Sequence, residues 1–202
     1  MAYTTFSVVI TGDLWTASSH NLLTGNFDHL TELAEVPLSI SEAKAPLSGV
    51  DAAALDLSES SVGNTEKPVF SRLLFDDSTD EARIWEKFIP RIFGATPVFS
   101  IDYYMAGANT DDEVVIDVLV AAVSDGDSSF PAKGFDTKNS VTETVPNAAG
   151  EFANVQIALA NFDSAAAGDY VQLMLRRDAD NGSDTAAGDW IVKKATFLWN
   201  LV

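Results

Sequence analysis

The 202-residue chain contains no cysteine. That excludes a disulfide framework and any thiolate metal site, and it leaves the redox compartment open. Histidine is almost as scarce: His20 and His29 are the whole complement. Their spacing does not place them on one helical face at chelating range, and no third ligand accompanies them. A serine nucleophile elsewhere in the chain would have no imidazole base near it in sequence. Basic residues are few, 12 Lys and Arg against 30 Asp and Glu, for a formal net charge of -18. Phosphate-backbone binding needs clustered cations, so nucleic acid is not expected as a partner. Long apolar runs are missing too. Phe6–Ile10 is too short for the hydrophobic core of a leader and has no basic flank, and nothing approaches a membrane-spanning length. The expectation is cytoplasmic synthesis without a leader, and no membrane partner.

What is present is ample core material: 47% hydrophobic residues, with 12 Phe and 4 Trp. A disordered chain would lack this, and the length suits a single all-β domain. Tyr3–Thr11 is rich in β-branched residues and reads as a short strand ending at Gly12. A short helix follows, with Ser18 or Ser19 as N-cap and Leu23, Phe27, Leu30 and Ala34 along one face; Pro37 stops it. Gly25 weakens this helix by about 1 kcal/mol relative to Ala. Periodicity then fades from Pro37 to Lys67, where Ala, Ser, Asp, Glu and Pro dominate. Unstructured connections of that length are uncommon inside compact domains. A boundary near Glu66 therefore divides an N-terminal attachment segment, 1–66, from a β domain, 67–202.

From Pro68 the chain reads as strand after strand. Val69–Phe75 precedes an acidic run, and Arg83–Pro90 carries Ile84, Trp85, Phe88 and Ile89 with no clear inward set. Phe99, Ile101, Tyr103 and Met105 alternate with polar neighbours, as do Val155, Ile157 and Leu159. Val114–Val123 is apolar on both faces apart from Asp117, the pattern of a central strand. Turn signals separate these runs, which argues for an antiparallel sandwich or barrel. The C-terminal stretch 169–202 reads as two strands joined by an acidic, Gly-bearing hairpin turn, the last one closing a sheet. In the first of these strands, Arg176 and Arg177 must project to opposite faces. The inward one then requires a partner, because a bare buried charge is costly.

The joining loop was weighed as a calcium site. Asp178, Asp180 and Asp189 stand at the first, third and twelfth places of an EF-hand spacing, with Asp184 between. Gly182 and Ser183 are misplaced for that motif and no Glu closes it, so a solvated turn is the preferred reading and no cofactor is expected. The acidic groups Asp76/Asp77, Asp80/Glu81 and Asp111/Asp112/Glu113 could flank a sugar only if two carboxylates faced each other across a cleft. Acidic turns between strands account for them, and no enzymatic activity is expected. Trp15, Trp85, Trp190 and Trp199, with Tyr103 and Tyr104, could supply a sugar-stacking platform, but core packing is the commoner use of such aromatics in a sandwich; Trp190 begins its strand beside the acidic loop and is the one expected at a rim or interface.

Two stretches carry a resemblance. FDDSTDEARIWEKFIP (75–90) and AGDYVQLMLRRDADNGSDTAAGDWIV (167–192) are similar to a β-sandwich domain of tailed-phage structural proteins. The run VVITGDLWTASSHNLLTGNFDHL (8–30) resembles a segment that opens many virion proteins. Together they span most of the chain outside roughly 35–67 and 132–146. The resemblance implies a jelly-roll-like antiparallel β-sandwich, all-β apart from a short N-terminal strand–helix segment. It implies location in the virion and trimeric or pentameric assembly, the trimer favoured. The compact length favours a capsid decoration (cement) protein that binds the major capsid protein through Trp15, Leu23, Phe27, Leu30 and Trp190. The alternative is a tail or fibre appendage that binds a host receptor or glycan.

Overall fold

The computed structural model describes residues 33–200 apart from positions 62, 64, 92, 95–96 and 128–129. The expected N-terminal strand and helix, both histidines, and the attachment residues Trp15, Leu23, Phe27 and Leu30 all lie outside the described residues. Eleven strands follow in order: β1 (Leu33–Leu38), β2 (Asp51–Ala52), β3 (Ala54–Glu59), β4 (Val69–Phe75), β5 (Glu81–Phe88), β6 (Val98–Met105), β7 (Glu113–Val123), β8 (Asn139–Thr144), β9 (Ala153–Ala158), β10 (Tyr170–Arg177) and β11 (Trp190–Asn200). They form two sheets, one of six strands in the order β3-β4-β11-β6-β9 with β1 also paired to β11, and one of five in the order β2-β5-β10-β7-β8. All pairings are antiparallel except β2 with β5. The chain is an all-β, jelly-roll-like sandwich.

Period-two alternation builds the core between the sheets. Phe99, Ile101, Tyr103 and Met105 of β6 are fully buried, as are Ile116, Val118 and Val120 of β7 and Leu173 and Leu175 of β10. Trp85 supplies the inward position of β5 that the sequence left open, and its indole N–H donates to the Ser39 carbonyl at 2.8 Å. That bond secures the stretch after β1 to the edge of the five-stranded sheet. β7 is internal to its sheet, flanked by β10 and β8, as its two-sided apolar pattern requires.

Three expectations are corrected. The sandwich begins at Leu33, ahead of Glu66, because β1 and β3 pair within the six-stranded sheet and β2 within the other. Ala34 and Pro37, read as the end of a helix, sit in β1 opposite Trp199 and Thr196 of β11. Proline is tolerated there because, among the described residues, β1 pairs with β11 alone and stands at a sheet margin. Finally, β10 and β11 are no hairpin. They lie in different sheets, and β11 runs through the middle of its sheet, between β6 on one side and β4 and β1 on the other.

The acidic stretch Asp178–Asp189 is therefore a crossover from one sheet to the other, and one buried ion pair organises it. Arg177, fully buried, donates to Asp184 through Nε at 3.1 Å and Nη2 at 2.7 Å. It donates further to the carbonyls of Ala186 at 2.7 Å, Gly188 at 3.0 Å and Phe75 at 3.4 Å. Asp184 Oδ2 also accepts from the Val115 amide at 3.0 Å, which ties the loop to β7. Gly188 has φ +81° and packs so closely on Gly107 that a Cβ would meet its amide nitrogen at 3.1 Å. The inward arginine thus finds the partner that its burial demands.

Removing Asp184 leaves that guanidinium uncompensated. Asp184→Ala is expected to cost about 3–5 kcal/mol of folding stability, read from the urea midpoint. The exposed Asp180→Asn should stay within about 0.5 kcal/mol. A mild Asp184→Ala effect, similar to that of Asp180→Asn, would show that the pair does not hold the crossover.

Candidate functional site

The core claims the odd-numbered positions of β10 and the even-numbered positions of β7, so the other parity faces outward. Register then assembles four rows on the outer face of the five-stranded sheet. In order along the strands they are Phe88–Tyr170–Val123, Glu86–Gln172–Ala121, Ile84–Met174–Leu119 and Ala82–Arg176–Asp117. Same-face rows are two residues apart, about 6.6 Å, so the four rows span about 20 Å.

The first row is aromatic and open. Phe88 is 71% exposed, and its ring meets Tyr170 edge-on at 5.6 Å. Phe130, 56% exposed on the 3-10 turn Phe130–Ala132, meets Tyr170 at 5.5 Å. Two solvent-facing phenylalanines flanking a tyrosine form a small apolar shelf in a chain whose other paired rings are largely internal.

The second row supplies hydrogen-bonding groups in a fixed arrangement. The Gln172 amide donates to Glu86 Oε1 and to the Tyr170 hydroxyl oxygen, each at 3.1 Å. Lys44, brought to the β5 edge by its backbone pairing with Ile84, forms an ion pair with Glu86. The Lys44 bond, then that of Tyr170, holds the Glu86 carboxyl below its ordinary range, and the same contact raises Lys44. Burial raises the Tyr170 phenol. The third row is apolar.

The fourth row is a charge network. Asp117 is fully buried, and its Oδ2 accepts from Arg176 Nε at 3.2 Å and from Lys138 Nζ at 3.0 Å. Lys138 also reaches Asp178 at 2.8 Å, and Arg176 reaches Asp80 and Asp178 at 3.5 Å each. Asp117 Oδ1 has no partner among the described residues. The carboxylates of Asp80, Asp178 and Asp180 converge, with oxygens within 4.8 Å of one another. Burial raises the Asp80 carboxyl, and the neighbouring Asp178 and Asp180 add to this. Burial alone would raise Asp178 as well, but Lys138, Asn181 and Arg176 together bring it below the ordinary range. An open depression of about 580 Å³ lies beyond this end, lined by Asp80, Thr79 and residues 46–52, with Leu47 fully exposed at its wall.

The candidate calcium set is dispersed. Asp178 and Asp180 join Asp80 at the fourth row, Asp184 is engaged by Arg177, and Asp189 sits close enough to Asp76 and Asp77 to feel their charge. Trp190 is a core residue: it is 0% exposed between Phe75 at 5.1 Å and Tyr103 at 5.7 Å, so it cannot be the rim or interface aromatic expected of it. The paired carboxylates are used in turns. Asp76 caps Ser78, Glu81 accepts from the Asp76 amide, Asp77 from Gly188, and Asp112 from Thr110. Sequence reading missed the aromatic shelf. Its signals were the unassigned strand face around Phe88 and the outward parity of Tyr170; Phe130 gave none.

No family model matches the chain, and no curated protein is similar to it in sequence. Three solved structures can be set beside it. One is the mosquito-larvicidal Cry4Aa toxin of Bacillus thuringiensis, at 12% identity and TM-score 0.47 over 84% of this chain and 24% of the toxin. Another is a xylan-binding module, at 9% identity and TM-score 0.46 over 83% of this chain and 97% of the module. The third is a mannan-recognising carbohydrate-binding module, at 12% identity and TM-score 0.39 over 83% and 99%. The chain thus spans about a quarter of the toxin's length.

The carboxyl shifts fix a pH response. Asp80, Glu81, Glu143 and Asp189 are raised, chiefly by burial, so each destabilises the fold when ionised and ceases to as pH falls through its folded value. Asp76, Glu86 and Asp178 are lowered, so their contribution is present above the unfolded value and lost as pH falls through the folded one. The melting temperature should therefore rise on mild acidification, peak near the ordinary carboxylate range of about 4, and fall below it. Thermal melts across this range check the sign, and a steady decline from neutrality downward would contradict it.

Proposed function

We propose that the chain is a non-catalytic binding protein whose outer five-stranded face receives a glycan, as a host-recognising appendage would. The observation that carries this is the shelf of Phe88, Tyr170 and Phe130 set one row from the hydrogen-bonded Glu86–Gln172 pair. A pyranose ring has a C–H-bearing face and a hydroxyl edge. The first gains by covering an exposed ring, and the second can donate to a carboxylate and to the amide oxygen of Gln172. The apolar third row, about 6.6 Å farther on, repeats the apolar step, so the ligand is an oligosaccharide of several units rather than a single sugar.

Attachment to a capsid shell draws on Trp15, Leu23, Phe27 and Leu30, all outside the described residues, and on Trp190, which is buried. No observation on the described residues favours that reading over the glycan face.

The test is a glycan array followed by calorimetry on the glycans retained. Phe88→Ala and Phe130→Ala should each weaken binding about tenfold, near 1.4 kcal/mol, and leave the melting temperature unchanged. Trp190→Ala should instead cost about 3–5 kcal/mol of stability. If Phe88→Ala and Phe130→Ala bind every retained glycan as the parent does, the face is not the site.

A further inference from the structure

We propose that this face selects uncharged glycans and rejects those bearing uronate, sulfate or other anionic groups. The proposal rests on the glycan-binding reading of the same face and concerns the charge its ligand can carry. An anionic sugar is ordinarily held by a lysine or arginine free to pair with it. Among the described residues, each cation that reaches the four rows is already committed: Lys44 to Glu86, Arg176 to Asp117, Asp80 and Asp178, and Lys138 to Asp117 and Asp178. Lys133, three residues beyond Phe130, is held by Asp163 at 2.7 Å.

The carboxylates cannot readily yield. Asp117 is fully buried and one of its oxygens already lacks a partner, so taking Arg176 or Lys138 from it would leave a buried charge with less compensation. Glu86 is fixed on three sides, by Lys44, Gln172 and Tyr170. Carboxylates also outnumber cations, since Glu86, Asp80, Asp117, Asp178 and the exposed Asp180 stand against Lys44, Arg176 and Lys138. An incoming anion therefore meets net repulsion and, within these four rows and among the described residues, no free counter-charge, and the chain's formal -18 repels polyanions before contact. A neutral hydroxyl has no such difficulty, because it can donate to Glu86 or to the Gln172 amide oxygen, the two Gln172 N–H groups being already engaged.

The experiment uses the full chain and matched polysaccharides: galacturonan, glucuronan and mannuronan, each compared with the neutral glycan made by reducing its carboxyl groups to alcohols. A neutral form should bind at least about tenfold more tightly than its uronate parent. The gap should narrow with salt as the screening length falls from about 30 Å at 0.01 M to about 10 Å at 0.1 M. Phe88→Ala should weaken binding of the neutral form about tenfold. Asp180→Asn, an exposed change, should narrow the gap about twofold. A uronate form that binds as tightly as its reduced form, still weakened in Phe88→Ala, overturns the charge rule and leaves the glycan reading standing. If neither these polymers nor an array gives any Phe88-dependent binding, both readings fall.

Discussion

A guanidinium with no access to water must be answered by the protein, and much of this architecture follows from how Arg177 is answered. The side chain enters the sandwich from β10, so its counter-charge has to come from a segment that can reach inside. The crossover after β10 provides Asp184, then turns its own carbonyls at Ala186 and Gly188 onto the same group. Those bonds deliver the chain to Trp190 in the opposite sheet, where the indole fits between Phe75 and Tyr103. One paired charge thereby sets where β11 starts. Because β11 is paired with three other strands, it also sets the position of the six-stranded sheet.

What could be read beforehand follows from burial. β6, β9 and β10 press one face into the core, and a two-residue alternation survives wherever one side must be dry and the other can be wet; β7, dry on both sides over most of its length, reads instead as a nearly continuous apolar run. The same logic foretold the division of labour between Arg176 and Arg177. β1, β2, β3 and β8 escaped notice for the opposite reason. They are short and lie at or near sheet margins, and β8, NSVTET, carries a single large apolar side chain, Val141. Composition also misled at 178–189. Turn-forming residues report local dihedrals, whereas membership of one sheet or the other is decided by partners far along the chain. Trp190 went wrong in the same way, being polar by neighbourhood in sequence and apolar by neighbourhood in space.

The proposed binding face was harder to read still, because it exists only through register. Phe88 is separated from Tyr170 by about eighty residues, with Phe130 about forty from each, and antiparallel pairing of β5 with β10 brings the first two side by side. No local pattern announces such a cluster. Its clustering is the informative quantity, since exposed apolar side chains such as Phe152 are ordinary singly, whereas Phe88 and Phe130 meet on one tyrosine.

The eight residues of β10 are written twice over, odd positions for the interior and even positions for the outside. A slip of one residue would exchange Leu173 for Gln172 and Arg177 for Arg176 at every level, ruining the interior and the proposed ligand face together. The two cannot drift apart: a copy that has lost this face through misregistration has also lost its fold, and quality control that senses only exposed apolar surface would remove it. Length changes in β10 are consequently forbidden in ones and conceivable only in twos, whereas the outward letters Tyr170 and Gln172 can be changed without touching the interior; Arg176, bound to the buried Asp117, cannot. The strand is thus a fixed frame on which recognition can be altered one side chain at a time.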